Sequence, residues 1–239
     1  MNYKKFKVKF IKGLDQTTLK EHIRCILMYG SQDRKDDVYS KSDVDIHILL
    51  KRSCEPLLSE LKNYLNNFNN LDVGIIFEDE LKIPFSFQNG SQGDYFLYVF
   101  ACADCVFGHN PYPKAMSRLP RNRVKDSLMF RIKENLWRVR EMYLNSSLTK
   151  VVLRKHVARL FLNVLLVTEK IKLSKMAFYN YKQSIKLFKN SFPELISKKE
   201  TSLLSRVANL SIIYKSDYLN ILNILSRVVF YMDKKVTYN

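Results

Sequence analysis

Tyr29-Gly30-Ser31-Gln32-Asp33-Arg34-Lys35-Asp36-Asp37-Val38-Tyr39-Ser40-Lys41-Ser42-Asp43-Val44-Asp45-Ile46 holds more chemistry than any other stretch of this chain. It joins two apolar runs, Ile23 to Tyr29 and Ile46 to Leu50, each of strand length. Side chains alternate between the faces of a strand, so Asp43 and Asp45 point the same way at the head of the second run. Two ionised carboxylates that close repel each other unless a cation sits between them. Mg²⁺ is the usual partner, a hard ion that takes one or two carboxylates and completes its shell with water and substrate phosphates. Gly30-Ser31 supplies the complement. A glycine after a strand lets the backbone approach a polyphosphate, and the Ser31 hydroxyl and nearby amides can donate to its oxygens.

This pattern resembles the signature of the DNA polymerase β-like nucleotidyltransferase superfamily: apolar, Gly, Ser, a spacer, then Asp, apolar, Asp, apolar. The family carries a third carboxylate on a later strand, and Leu71-Asp72-Val73-Gly74-Ile75-Ile76-Phe77 offers Asp72. Cys105-Val106-Phe107-Gly108-His109-Asn110-Pro111 looks like the apolar-Gly-x-x-Pro turn that closes this domain in small members. The resemblance covers residues 14 to 113. It implies an α+β fold, a mixed sheet with flanking helices followed by an all-α helical bundle, similar to the kanamycin-nucleotidyltransferase-like group. A plainer reading makes Asp43 and Asp45 a solvated strand edge and Gly30-Ser31 an ordinary turn. Two same-face acids heading so apolar a strand favour the metal site.

Net charge is +17, and it is one-sided. Residues 1–110 carry 14 Lys/Arg against 15 Asp/Glu, whereas residues 111–239 carry 26 against 8. A bias toward lysine would act on both halves alike. Residues 114–140 also use arginine freely, at 118, 121, 123, 131, 138 and 140. A basic lobe beside a phosphate site is the footprint of a polyanionic partner. The opening residues have charge but no apolar signal region, and no segment approaches the roughly 18 apolar residues of a membrane span, so a cytoplasmic protein is expected. Cys102-x-x-Cys105 with His109 has the makings of three zinc ligands. No second pair exists, and Tyr95 to Phe107 reads as a helix with its cysteines at core spacing.

Leu14 to His22 reads as a short helix capped by Asp15 or Thr17, and Glu55 to Asn66 as a second with Leu57, Leu58, Leu61, Tyr64 and Leu65 on one face. A short strand is expected near Pro84 to Phe87, with Asp94 capping the helix that follows. Prolines at 111, 113 and 120 mark a boundary, giving domains 1–113 and 114–239. Beyond it glycine disappears and helical periodicity takes over. Leu128, Ile132, Leu136, Val139 and Tyr143 form one stripe. Helices follow over 148–173, 178–189, from Pro193, and from Asp217 to about Met232. Short loops predict antiparallel neighbours. An arginine at ribonuclease spacing before His156 is absent, which disfavours that activity. His47 lies two residues past Asp45, on its face.

The resemblance implies transfer of a nucleoside monophosphate from an NTP to a hydroxyl. Asp43, Asp45 and Asp72 would hold two Mg²⁺ ions, with Mn²⁺ an alternative, and act as the catalytic acids. Gly30, Ser31, Ser42, Arg34 and Lys35 would bind the triphosphate, as would Arg154 and Lys155 from the bundle. The charge favours RNA, tRNA above all, as acceptor, through Arg121, Arg123 and Arg131; Phe178 to Lys182 interleaves aromatics that could stack bases. A protein hydroxyl, modified as in toxin–antitoxin systems, is the alternative acceptor. The third reading is a non-catalytic nucleic-acid-binding relic. No membrane partner is expected.

Overall fold

The computed structural model describes residues 3–29, 44–52, 55–69, 71–81, 96–97, 99–172 and 179–237. The chain divides into two compact units, Met1–Leu119 and Pro120–Asn239. Among the described residues, no helix is long and apolar enough to cross a membrane.

In the first unit, Phe6, Phe10 and Leu14 recur every fourth residue and lie on one buried face of helix α1 (Tyr3–Leu14). The chain then turns through α2 (Leu19–His22) into strand β1 (Ile23–Tyr29). Strand β2 (Val44–Leu50), helix α3 (Glu55–Leu65) and strand β3 (Leu71–Phe77) follow. After a 3₁₀ turn at Glu78–Leu81 come β4 (Asp104–Gly108) and the short helix α4 (Tyr112–Met116).

The sheet is mixed, in the order β3-β2-β1-β4. β1 pairs antiparallel with β2 and with β4, and β2 pairs parallel with β3 across the α3 crossover. One face packs Ile26, Met28, Ile46, Ile48 and Leu50 against α1 and α3, the latter through Leu57, Leu61 and Tyr64. Burying each such side chain contributes roughly 1.5–3 kcal/mol. The Tyr64 hydroxyl donates to the Phe10 carbonyl, tying α3 to α1. The other face carries Asp45 and Asp72.

Two local readings are corrected. Neither Asp15 nor Thr17 caps a helix: α1 already occupies the chain to Leu14, Thr17 donates to the Leu14 carbonyl, and the residue before α2 is Thr18, whose hydroxyl goes to Glu60 instead. The stretch to Phe107 is not one helix. Helical turn ends near residue 101 and Asp104–Gly108 is a strand, because pairing with β1 satisfies its backbone. The strand expected near Pro84 to Phe87 and the Asp94 cap lie outside the described residues.

Gly108 closes β4 with φ +70°, and a Cβ built there would fall 2.1 Å from the Arg24 carbonyl oxygen. No rotation of a side chain relieves overlap with backbone. Gly108→Ala is therefore expected to destabilise the first unit by on the order of 3 kcal/mol or more, read as a fall in the denaturant midpoint. An unchanged midpoint would disprove the close β1–β4 approach.

The second unit is helical: α5 (Arg121–Leu144), α6 (Lys150–Val167), α7 (Tyr181–Ser191), α8 (Lys198–Ala208) and α9 (Lys215–Thr237). Leu128, Ile132, Leu136 and Val139 are buried along α5, as their spacing predicts. Capping boxes start two helices, Asn180 with Gln183 and Ser197 with Glu200. The second box moves a boundary: Pro193–Leu195 is a 3₁₀ turn, and the helix begins only after Ser197. α6 stops at Val167, short of Leu173, and its end is closed by Lys170 N–H donating to the Leu165 carbonyl with Glu169 left-handed.

Antiparallel packing holds for α5 against α9, where Lys133 meets Asp233 and Arg140 meets Ser226. It fails for α6 and α7. Arg154 lies over Tyr181 and Phe161 stacks on Phe188, so both helices ascend together. The residues between them, 168–180, are enough to run back along a helix of roughly 27 Å.

Candidate functional site

Strand alternation places Asp45 and Asp72 together. They are register partners on the parallel strands β2 and β3, so both side chains leave the same face of the sheet at the same level. On the other side Asp45 pairs with Tyr29, the last residue of β1. The Tyr29 hydroxyl is pushed up to about 12, by burial first and then by the negative charges of Asp45 and Asp72. One phenol thus senses both carboxylates.

Beneath this row lies an aromatic floor. His47, two residues on from Asp45, is buried and stacks on Phe100 with ring centroids 3.8 Å apart. Its Nε2 shares a hydrogen bond with the Tyr112 hydroxyl, and Phe100 meets Tyr29 edge-on. Its register partner on β3 is Gly74, where a Cβ would come 3.5 Å from His47 Nδ1. Asn110 fixes the turn before Tyr112, donating to the Phe100 carbonyl and accepting from the Tyr112 N–H. His47 is thereby committed to the floor beneath the carboxylates.

Burial holds His47 down at about 3. In the second unit burial, with the cations Arg159, Lys155 and Arg138, holds His156 down at about 4. His156 Nδ1 donates to Asn135 Oδ1, since the Asn135 amide N–H is spent on the Arg131 carbonyl. Both folded values lie below the ordinary 6.5, so the unfolded chain takes up protons first. Stability is fully present above pH 6.5 and falls as pH drops toward 4 for His156 and 3 for His47. Each should cost about 2 kcal/mol between pH 7 and pH 5, at ~1.4 kcal/mol per unit. Urea midpoints that stay level between those pH values would show that neither imidazole is held neutral.

The remaining assigned residues are distributed as follows. Gly30, Ser31, Arg34, Lys35, Ser42 and Asp43 lie outside the described residues. Lys155 sits half-buried on α6. Its neighbour Arg154 is only 4% exposed, its Nε and one terminal nitrogen meet no acceptor among the described residues, and the guanidinium lies 5.8 Å from the Tyr181 ring centre. Arg121 and Arg123 stand in the first turn of α5, Arg123 half-exposed. Arg131 is a correction: it is largely buried and paired with Glu134, so it is not a surface phosphate contact. Tyr181 is corrected too, being buried at 4% exposure beneath Arg154 and closed to base stacking. Phe178 lies outside the described residues.

Among the described residues no three His, Cys, Asp or Glu side chains converge as a metal cluster. Cys25 is buried and Cys105 exposed on neighbouring strands, and the Cys102, Cys105 and His109 set forms no such cluster. Asp45 and Asp72 do make a carboxylate pair at the N-terminal ends of β2 and β3, and its negative field fits a hard divalent cation. Tyr29, Phe100 and Tyr112 were missed by sequence reasoning. Only Tyr29 left a signal there, as the residue directly before Gly30.

No protein-family model matches the chain. No curated protein matches its sequence. Among solved structures it is similar to spectinomycin adenyltransferase from Enterococcus faecialis, determined with ATP and spectinomycin. The two are 13% identical over 92% of this chain and 99% of that one, with a TM-score of 0.54. A nucleotidyltransferase-like protein from Exiguobacterium sibiricum aligns at 12% identity over 90% of this chain and 74% of that one, with a TM-score of 0.26. At 13% identity the first of these is a likeness of fold alone: the four-stranded mixed sheet and the helical second unit together share the fold of that adenyltransferase.

Proposed function

We propose that the protein transfers a nucleoside monophosphate from an NTP to a hydroxyl of an RNA acceptor, tRNA in the first instance, releasing pyrophosphate. The observation that carries the transfer chemistry is the register pairing of Asp45 with Asp72 on one sheet face, in the nucleotidyltransferase fold. Residues 1–113 would form the catalytic domain and residues 114–239 the basic domain that receives the acceptor.

Asp43 and Asp45 would hold the NTP-bound Mg²⁺, and Asp45 and Asp72 a second ion. Bound there, the two ions would supply charge neutralisation of the triphosphate and a lowered pKa at the attacking hydroxyl. Asp72 Oδ takes the proton as the acceptor oxygen bonds to the α-phosphorus and the bond to the pyrophosphate oxygen breaks. The buried floor of His47, Phe100 and Tyr112 holds β2 rigid beneath the acids and keeps water from their base. Gly30, Ser31, Ser42, Arg34 and Lys35 are assigned to the triphosphate.

The excess of 26 cationic over 8 acidic residues beyond position 110 supports a polyanionic acceptor, with Arg121 and Arg123 as contacts. A small-molecule hydroxyl is the second reading, favoured by the fold shared with an enzyme determined with spectinomycin. A cationic drug would meet repulsion from the second unit, which ranks that reading lower. Incubation with each labelled NTP and Mg²⁺, with total tRNA, with spectinomycin, or with neither, tests the proposal. Label on RNA is expected. Label on the drug, or on the protein itself, would replace the acceptor, and no label anywhere would end the transferase reading.

A further inference from the structure

The first unit is close to neutral overall, yet its charge is unevenly placed. α1 carries Lys4, Lys5, Lys7, Lys9 and Lys12 and no acidic residue. Lys7 is paired with Asp104. Lys5, Lys9 and Lys12, at i, i+4 and i+7, share another face and line a groove of about 1060 Å³ between α1 and the end of α3. Among the described residues, no carboxylate lines this groove. Phe68 forms part of its wall, with Lys9 Nζ 5.7 Å from the ring centre, and the exposed Gln16 side chain adds amide donors and an acceptor.

We propose that this groove binds the backbone of single-stranded RNA, as a site separate from the carboxylate face. Three exposed ammonium groups spread over roughly 10 Å of helix make a line of positive charge whose spacing suits successive phosphates of one strand. A groove pairing cations with an aromatic wall is the arrangement that tracks a sugar–phosphate chain while offering a ring to a base. A lipid surface fits less well. The apolar face of α1, Phe6, Phe10 and Leu14, is already spent in the core, which leaves Val8 as the exposed apolar side chain of the helix and a concave wall beside it. α1 and α3 cover the sheet face opposite Asp45 and Asp72, so the groove cannot be the NTP site seen from behind.

The inference does not rest on nucleotide transfer, and its test omits NTP. The probe is a fluorescent oligouridylate of about 12 nucleotides, titrated against the full-length protein at several salt concentrations. The variants are Lys5→Glu/Lys9→Glu/Lys12→Glu and its conservative counterpart with arginine at all three positions. These side chains are solvent-facing, and thermal unfolding confirms that each variant folds. The glutamate variant should lose at least tenfold in affinity, and its slope of log K against log salt should shrink by about two, at roughly 0.7 per lost phosphate contact. The arginine variant should keep both. Unchanged affinity and slope in the glutamate variant would overturn the proposal by placing RNA binding elsewhere. So would a glutamate variant that loses binding to phosphatidylserine vesicles but not to RNA.

Discussion

Asp45→Asn is expected to cut nucleotide transfer by on the order of 10³-fold or more, ~4 kcal/mol of transition-state stabilisation, while the fold persists. Asp45 stands between Tyr29 and Asp72 at one level of the sheet, so a neutral amide there weakens both proposed metal positions together. The fold has little to lose. The side chain is only half-buried at the head of β2, and its removal relieves repulsion with Asp72. The Tyr29 hydroxyl supplies an independent readout: its pKa should fall from about 12 but stay above the ordinary value, because burial contributes more than the carboxylates. Transfer is measured as labelled product, and the phenol by absorbance titration. Wild-type transfer rates in Asp45→Asn would remove the site assignment.

Asp72→Asn should abolish transfer to a similar degree yet leave Mg·NTP binding near normal. Asp72 occupies β3, at the edge of the sheet order and exposed to solvent. On the proposed assignment its loss would remove the proton acceptor and one ligand of the hydroxyl-activating position, and would spare the NTP-bound ion assigned to Asp43 and Asp45. Equilibrium binding of a non-hydrolysable NTP distinguishes the two aspartates. Loss of NTP binding as complete as in Asp45→Asn would show that both carboxylates serve one ion.

The strands that carry chemistry were legible because alternation is local. Ile23–Tyr29 and Leu71–Phe77 follow from side-chain pattern, and the second strand starts one residue after Asp43. Helix α1 escaped because its lysines draw attention from the Phe6, Phe10 and Leu14 spacing that buries it. β4 was misread because Cys102 to Phe107 has apolar spacing suited to either structure, and only pairing with β1 resolves it. The floor beneath the acids could not be read at all. His47 meets Phe100 and Tyr112 from more than fifty residues away, and nothing local announces that meeting. Arg131 shows the reverse failure: an arginine in a basic run looks like surface until Glu134 turns it inward.

The two faces of the sheet also guard its alignment. Side chains alternate with a period of two, so sliding β3 by one residue against β2 would carry Asp72 toward the apolar layer under α1 and α3. It would lift Leu71, Val73 and Phe77, which pack on that layer, out into solvent. Each misplaced side chain carries a penalty of roughly a kcal/mol or more, and a stranded carboxylate adds further. The carboxylates therefore need no glue of their own to stay level. Their alignment is proofread from behind by greasy residues that never touch substrate, and substitutions at Ile46 or Ile48 should blur the chemistry before they melt the protein.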